Sequence, residues 1–449
     1  MERAAPPRPF RTRLRRARLA TCAGHGESDE ARLDLRERAS IVIEGRTLVY
    51  LGPDADCPSG PFDREHDLEG RLVTPGLVDP HTHLVFAGSR SAEFRQKMEG
   101  VDYRTIAKSG GGIGASVRAT READDDTLER SLWARMAVLA QRGVTLVEVK
   151  SGYGLTVEHE LRLLRLAREA SGLHVETRAS REHPKLAGRL LPRTTTTLLG
   201  AHAVPPEHAH DRAGYVSLVA GEMVRRAAER RRLGLREIPL ADACDVYLDE
   251  NAFSVDEART VLEAARRVGL RVRAHVGQFA DVGGAELVAE LGGLSCDHLE
   301  HVSDEGLRAM AAAGTRAVLL PVAWRTLRQK APDAARMRAF GVRVAVGTDA
   351  NPGTSACLDP LVAVSLAVRD AGLPPSSALL AVTREAAAAC GAHDAGRLQV
   401  GGRADLCVWD HDDPGVIGYV LGGLEPACVL SGGAFCAGRL DELGPAPFR

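Results

Sequence analysis

The sequence predicts an α/β fold: a TIM-like (β/α)8 barrel with a small β-sandwich domain assembled from both chain ends. Three observations predict it. Strand-length apolar runs alternate with amphipathic helical stretches through the middle of the 449 residues. Both ends are instead strand-and-glycine in character. Aromatics make up only 4% of the chain, so the core must be built from Ala, Val and Leu, which suits parallel strands covered by helices. The domain limits that follow are 1–74 and 386–449 for the small domain and 75–385 for the barrel.

The elements can be justified in chain order. The first twenty or so residues are rich in arginine, but no apolar stretch follows, so they read as an untidy extension outside the fold rather than a targeting peptide. Ile41-Val42-Ile43 and residues 47–51 flank the turn Glu44-Gly45 and read as two short strands. Eight barrel strands are expected at 77–80, 144–150, 196–201, 244–249, 270–275, 293–297, 316–320 and 342–348. Helices are expected between them at 127–142, 157–171, 285–291 and 304–313, and after the capping box Ser254-Val255-Asp256-Glu257 as far as Arg267. Residues 223–236 read as an Arg/Ala-rich helix, and 176–193, with Pro184 and Pro192 and no period, as an exposed insertion. Residues 401–410 and 427–437 supply the closing strands of the small domain.

Composition narrows the function. With 58 Lys+Arg against 60 Asp+Glu, no global field selects nucleic acid or an acidic membrane as partner. No apolar run approaches the ~18 residues of a membrane span. The nine cysteines contain no C-x-x-C pair and suggest a reduced, cytoplasmic protein. A small-molecule substrate is the expected partner.

Barrel active sites sit at strand C-termini, which directs attention there. Asp79-Pro80-His81-Thr82-His83 ends the first expected strand, and residues two apart in extended chain project to one side, so both imidazoles can converge. His275 ends the fifth strand and Asp349 follows the eighth in Val346-Gly347-Thr348-Asp349. Three imidazole nitrogens and one carboxylate form a mononuclear metal site with a coordination position left for water. His298, ending the sixth strand, stands at the same rim as a proton shuttle, water-orienting group or further ligand. Lys150 ends the second strand, where a metal-bridging lysine is not expected, and reads as a tether for the next loop. Arg90 suits a substrate carboxylate. Tyr153 and His202 put polar rings at strand ends, and Asn351-Pro352-Gly353-Thr354 offers an amide and backbone N–H donors.

The segment from Pro75 to His83, with Gly347-Thr348-Asp349, resembles the metal-dependent amidohydrolase superfamily. Four blocks are similar to the imidazolonepropionase family within it: His81-Thr82-His83-Leu84-Val85-Phe86-Ala87-Gly88-Ser89-Arg90, Lys150-Ser151-Gly152-Tyr153-Gly154-Leu155, Leu199-Gly200-Ala201-His202-Ala203-Val204-Pro205-Pro206 and Asp349-Ala350-Asn351-Pro352-Gly353-Thr354. The resemblance implies metal ligands His81, His83, His275 and Asp349 around one zinc or iron ion per subunit. It implies substrate contacts from Arg90, Tyr103, Tyr153, His202, Gln278, Asn351, Gly353 and Thr354, and a homodimer. The implied reaction opens the ring amide of 4-imidazolone-5-propanoate to N-formimidoyl-L-glutamate in histidine degradation, with Asp349, His298 and Gln278 as catalytic groups. Gln278 narrows the class: related deaminases carry a glutamate in H-x-x-E, whereas His275-Val276-Gly277-Gln278 ends in an amide that cannot shuttle protons near neutrality. The insertion at 176–193, Ala350 and Val276-Gly277 depart from the family pattern. Two other readings stay open: a different cyclic amidohydrolase or aminohydrolase acting on an anionic heterocycle, and a non-catalytic metal-binding barrel.

Overall fold

The computed structural model describes residues 9–101, 111–175, 188–233, 236–438 and 440. Five strands open the chain: β1 (Arg11–Ala20), β2 (Leu35–Glu44), β3 (Thr47–Pro53), β4 (Arg64–Asp67) and β5 (Leu72–Pro75). The barrel strands follow as β6 (Leu77–Asp79), β7 (Val144–Lys150) and β8 (Arg193–Ala201). After a hairpin of β9 (Arg230–Leu233) and β10 (Arg236–Pro239) come β11 (Ala243–Leu248), β12 (Arg271–Val276), β13 (Ser295–His298), β14 (Arg316–Leu319) and β15 (Val344–Val346). Last are β16 (Leu406–Val408), β17 (Cys428–Ser431) and β18 (Ala434–Gly438).

The barrel strands pair in parallel, in sequence order from β6 to β15, with the hairpin set apart. Each overlaps one of the eight expected segments. Helices such as Asp125–Gln141, Val157–Glu169, Val255–Arg267 and Asp304–Ala313 cover the outside. Ser254 caps its helix as predicted: its hydroxyl accepts from Glu257 N at 3.3 Å while Ser254 N donates to the Glu257 carboxylate at 2.8 Å. β6 and β15 do not pair along their length. They are joined instead at their C-terminal ends, where Asp349 N donates to His81 O at 3.0 Å and His83 N to Ala350 O at 2.9 Å. Asp79 completes the seam, accepting from Thr348 N at 3.1 Å and Thr348 Oγ1 at 2.6 Å. Burial pushes the Asp79 carboxyl up to about 7. Position 350 serves the seam through its backbone, so its small side chain need only fit.

β1–β5 and β16–β18 form one sheet ordered β18-β17-β16-β5-β1-β2-β3, forking at β1 where β4 joins. Its own core includes Leu14, Leu19, Ile41, Ile43, Val73, Leu406 and Leu430.

Three expectations change. The arginine-rich start is not outside the fold: β1 is central to the small sheet, Leu14, Ala17 and Leu19 facing its core while the arginines face carboxylates. Arg13 reaches Asp54 at 3.1 Å and Arg16 reaches Asp67 at 2.6 Å. Composition concealed a strand written in alternation. The helix expected at 223–236 ends at Ala228 after a π-turn at Val219–Met223, and the chain turns into the β9–β10 hairpin. A continued helix would set Arg226 against Arg230 and Arg232 against Arg236 at i, i+4, like-charge pairs that the turn into a strand avoids. The insertion at 176–193 lies outside the described residues from 176 to 187, but its end is packed. Leu191 is buried and donates its N–H to Leu173 O at 2.9 Å, and β8 already begins at Arg193.

Candidate active site

Four barrel strands carry charged or imidazole side chains on the inward side: Glu148 and Lys150 on β7 and Arg273 and His275 on β12, each pair two positions apart and so on one side of an extended chain, with Asp245 on β11 and Asp297 on β13. Parallel register sets Asp245 beside Arg273, and His275 beside Asp297. All five acids and bases beneath the histidines are at most 1% exposed. Lys150 Nζ reaches Asp245 at 2.7 Å and Glu148 at 3.1 Å, and Arg273 reaches Asp297 at 3.1 Å and Glu148 at 3.3 Å. Burial and Arg273 pull the Lys150 ammonium down, but the three carboxylates outweigh them and the net shift is upward. Lys150 therefore offsets part of the negative charge in the floor of the site; it is not a tether for the following loop, because its side chain runs inward from β7.

This floor orients the histidines above it. His81 Nδ1 is 2.6 Å from Asp297 and His275 Nδ1 is 3.0 Å from Asp245. A carboxylate on Nδ1 selects the tautomer whose Nε2 is a lone-pair donor. His81 Nε2 is buried with no hydrogen-bond partner among the described residues and lies 3.5 Å from Asp349 Oδ1; His83 Nε2 lies 3.6 Å from the same oxygen. Ligand atoms of His81, His83 and Asp349 lie within 4.8 Å of one another, and so do those of His81, His275 and His298. Burial holds the His81 and His83 rings well below the ordinary imidazole range, so they are neutral, as metal ligands must be. Burial also pushes the Asp349 carboxyl up to about 6. An unpartnered Nε2, neutral imidazoles and a converging carboxylate fit a metal with N/O preference.

The histidines open into a cavity of about 80 Å³ whose walls include Arg90, Tyr153, His202, Gln278, Asn351 and Thr354. His202 stacks on His83 with centroids 5.4 Å apart, and its Nδ1 is held by Gly152 O at 2.9 Å. Tyr153 sits on a loop drawn tight by the buried Glu160, whose carboxylate accepts from the N–H groups of Gly152, Gly154 and Leu155 at 2.6–2.8 Å. Gln278 Oε1 accepts from Tyr247 Oη at 2.9 Å, and Asp249 takes the backbone N–H of Gln278 at 2.9 Å. Tyr103 lies outside the described residues.

Two expectations about the wall are revised. Arg90 already spends one edge of its fork: Nε and Nη2 both lie 2.8 Å from Glu93, leaving the N–H groups of Nη1 and the outer N–H of Nη2 for a ligand. Gly353 makes room for that guanidinium, since a Cβ there would stand 2.0 Å from Arg90 Nη1. The Asn351 loop keeps its polar groups for itself. Asn351 Nδ2 donates to Asp349 O at 2.6 Å, and Oδ1 accepts from Gly353 N and Thr354 N at 2.8 Å each. Those donors shape the Asp349 loop; a short local bond satisfies them at less entropic cost than a ligand. Thr354 Oγ1 lies 3.4 Å from Asp349 Oδ2.

The sequence model of the amidohydrolase family matches residues 72–435. An imidazolonepropionase of Paracoccus denitrificans is 43% identical over 391 residues, covering 86% of this chain and 92% of its own length. One from Ectopseudomonas mendocina is 46% identical over 87% of this chain and 91% of its own, and one from Chromobacterium violaceum 44% identical over 93% and 95%. The chain belongs to the imidazolonepropionase family of amidohydrolases. Solved structures share the fold at lower identity. A 5-methylcytosine deaminase from Klebsiella pneumoniae has a TM-score of 0.66 at 15% identity, covering 97% of this chain and all of its own. An adenosine deaminase from Xanthomonas campestris has 0.65 at 17%, covering 96% and 93%.

Sequence reading passed over Asp245, Asp297, Glu148, Arg273, Tyr247, Glu160 and Glu300. Most carried a signal all the same: a charge at an alternate position in an otherwise apolar strand, as in Val147-Glu148-Val149 and Val272-Arg273-Ala274, points into a barrel that must compensate it.

Proposed function

We propose that the chain hydrolyses the ring amide of 4-imidazolone-5-propanoate to N-formimidoyl-L-glutamate, as an imidazolonepropionase of histidine degradation. One observation carries the reading beyond family membership. At the place where a deaminase needs a carboxylate, Gln278 is held by Tyr247 through its carbonyl, so its amide N–H groups are left to donate to a substrate. That arrangement suits a ring that keeps its nitrogen and opens at a carbonyl.

His81, His83, His275 and Asp349 would hold one zinc or iron ion per subunit. Such an ion, when bound, supplies a Lewis acid and a water acidified toward neutrality. Arg90, through Nη1, anchors the propanoate carboxylate at one end of the cavity, and Tyr153 and His202 bracket the ring beside His83. Gln278 donates to a ring heteroatom. His298 and Asp349 move protons between water and the departing ring nitrogen, and Thr354 holds the Asp349 carboxylate in line. Gly353 serves by leaving space for Arg90. The reading includes a homodimer in the cytoplasm; among the described residues, no helix is long and apolar enough to cross a membrane.

The test is direct: metal-loaded protein is mixed with imidazolonepropionate, and its absorbance is followed while formimidoylglutamate is assayed. Turnover supports the reading. A preparation inert toward this ring but active on another heterocycle overturns it. Arg90→Ala should raise KM by at least about tenfold with a smaller change in kcat, since it removes a charge-assisted contact to an anionic substrate.

A further inference from the structure

Among the described residues near the site, Glu300 is the buried carboxylate with the fewest polar partners. Its side chain is 0% exposed, and neither carboxylate oxygen has a hydrogen-bond partner among the described residues. A buried ionised carboxylate without partners is costly. Other buried acids in this barrel avoid that cost: Glu148 meets Lys150 and Arg273, and Glu160 collects three backbone N–H groups. What faces Glu300 is the imidazole of His298, whose Nδ1 lies 3.7 Å from Oε1 and also lacks a hydrogen-bond partner among the described residues.

The backbone is bent to make this meeting. His298 and Leu299 have φ values of 84° and 70°, a left-handed pair that ordinary side chains disfavour. The turn is pinned to the end of β12, with Leu299 N donating to Val276 O at 3.0 Å and His301 N to Gly277 O at 2.8 Å. It folds residue 300 back beside residue 298. The result repeats a pattern already present at the neighbouring histidines: Asp297 faces Nδ1 of His81, Asp245 faces Nδ1 of His275, and Glu300 faces Nδ1 of His298.

We infer that Glu300 is a positioning residue for His298, its buried carboxylate fixing the ring with Nδ1–H toward Glu300 and Nε2 toward the cavity. The inference rests on the catalytic role proposed for His298. Glu300 touches no substrate; it acts through the ring.

The experiment combines Glu300→Gln, His298→Ala and the double variant in metal-loaded protein, with 15N-histidine resonances of the wild type and of Glu300→Gln recorded without substrate. Glu300→Gln should lower kcat roughly tenfold to a hundredfold, the scale of losing a carboxylate behind a working histidine, with KM and metal content within about twofold of wild type. The double variant should be no slower than His298→Ala alone. In the wild type, the His298 resonances should report a protonated Nδ1, and they should move in Glu300→Gln. An unchanged kcat, a loss confined to KM or metal content, or losses that multiply in the double variant would overturn the inference. If the wild type does not turn over imidazolonepropionate, the functional reading fails, but the resonances still decide this one. The wild-type spectrum also decides if Glu300→Gln does not fold: an unprotonated Nδ1 overturns the inference.

Discussion

Two clusters of buried charge hold this molecule together, and they are built to opposite balances. Beneath the histidines, Lys150 and Arg273 face Glu148, Asp245 and Asp297 in a floor shut off from solvent. Where the N-terminal segment meets the helices that end the barrel, Asp29 and Glu385 face Arg32, Arg316, Arg338 and Arg384. The first cluster has more carboxylate than cation, and the spare acceptors turn to imidazoles. The second has more cation than carboxylate, and its excess reaches solvent: Arg316 and Arg338 are about a third exposed. Matching chemistry thus serves two ends. An acid-rich cluster that cannot reach water must find its balance in the site it supports, whereas an arginine-rich one at the surface fastens two parts of the chain.

The sharpest way to break that contrast is Lys150→Met. It leaves three buried carboxylates facing Arg273 and should destabilise the protein by about 3–5 kcal/mol, seen as a lowered urea midpoint with metal content lost as well. Glu385→Gln should cost less, about 1.5–3 kcal/mol, because Arg32 keeps Asp29 at 3.3 Å, and metal affinity should not change. Equal destabilisation by both would erase the distinction. Asp297→Asn should do the reverse of Glu385→Gln, weakening metal binding roughly 10–100-fold in chelator competition by freeing the His81 ring.

The smallest effect separates the two regions by pH. His202, beside the histidine cluster, is pushed down from 6.5 to about 4, first by burial and then by His275. The unfolded chain takes up that proton near 6.5 while the fold resists it, so stability falls as pH drops from 6.5 toward 4. Asp29 behaves otherwise. Burial alone would raise it, but Ser377, Arg338 and Arg32 outweigh burial and hold it below its ordinary 3.8. Its contribution is present above that value and disappears only as pH falls through the folded value. Thermal melts of chelated protein from neutral to acid pH should therefore lose a shallow early phase in His202→Asn, and only a late phase in Asp29→Asn.

Much of the fold was legible because its rules are local. Barrel strands announce themselves as apolar runs, and Ser254 and Glu257 cap a helix without help from elsewhere. The small sheet was half legible: β2, β3 and the closing strands show alternation, but β1 hides behind its arginines, whose partners Asp54, Glu65 and Asp67 are distant in sequence. In the site, His81, His83, His275, His298 and Asp349 could be picked out because strand-end position converts directly into convergence. The supporting groups could not, because each matters only through a neighbour on another strand.

The sequence by itself determined the barrel, the rim and the residue types able to hold a metal, since period and strand-end position depend on the chain alone. Tertiary structure decided which of those groups are already spent. Glu93 occupies one edge of the Arg90 fork, Asn351 exhausts its amide on its own loop, and Asp297 and Asp245 set which nitrogen His81 and His275 present. The reason is that a buried polar group is satisfied by whatever lies within about 3 Å of it, and in a barrel closed by β6 and β15 that neighbour usually comes from another strand.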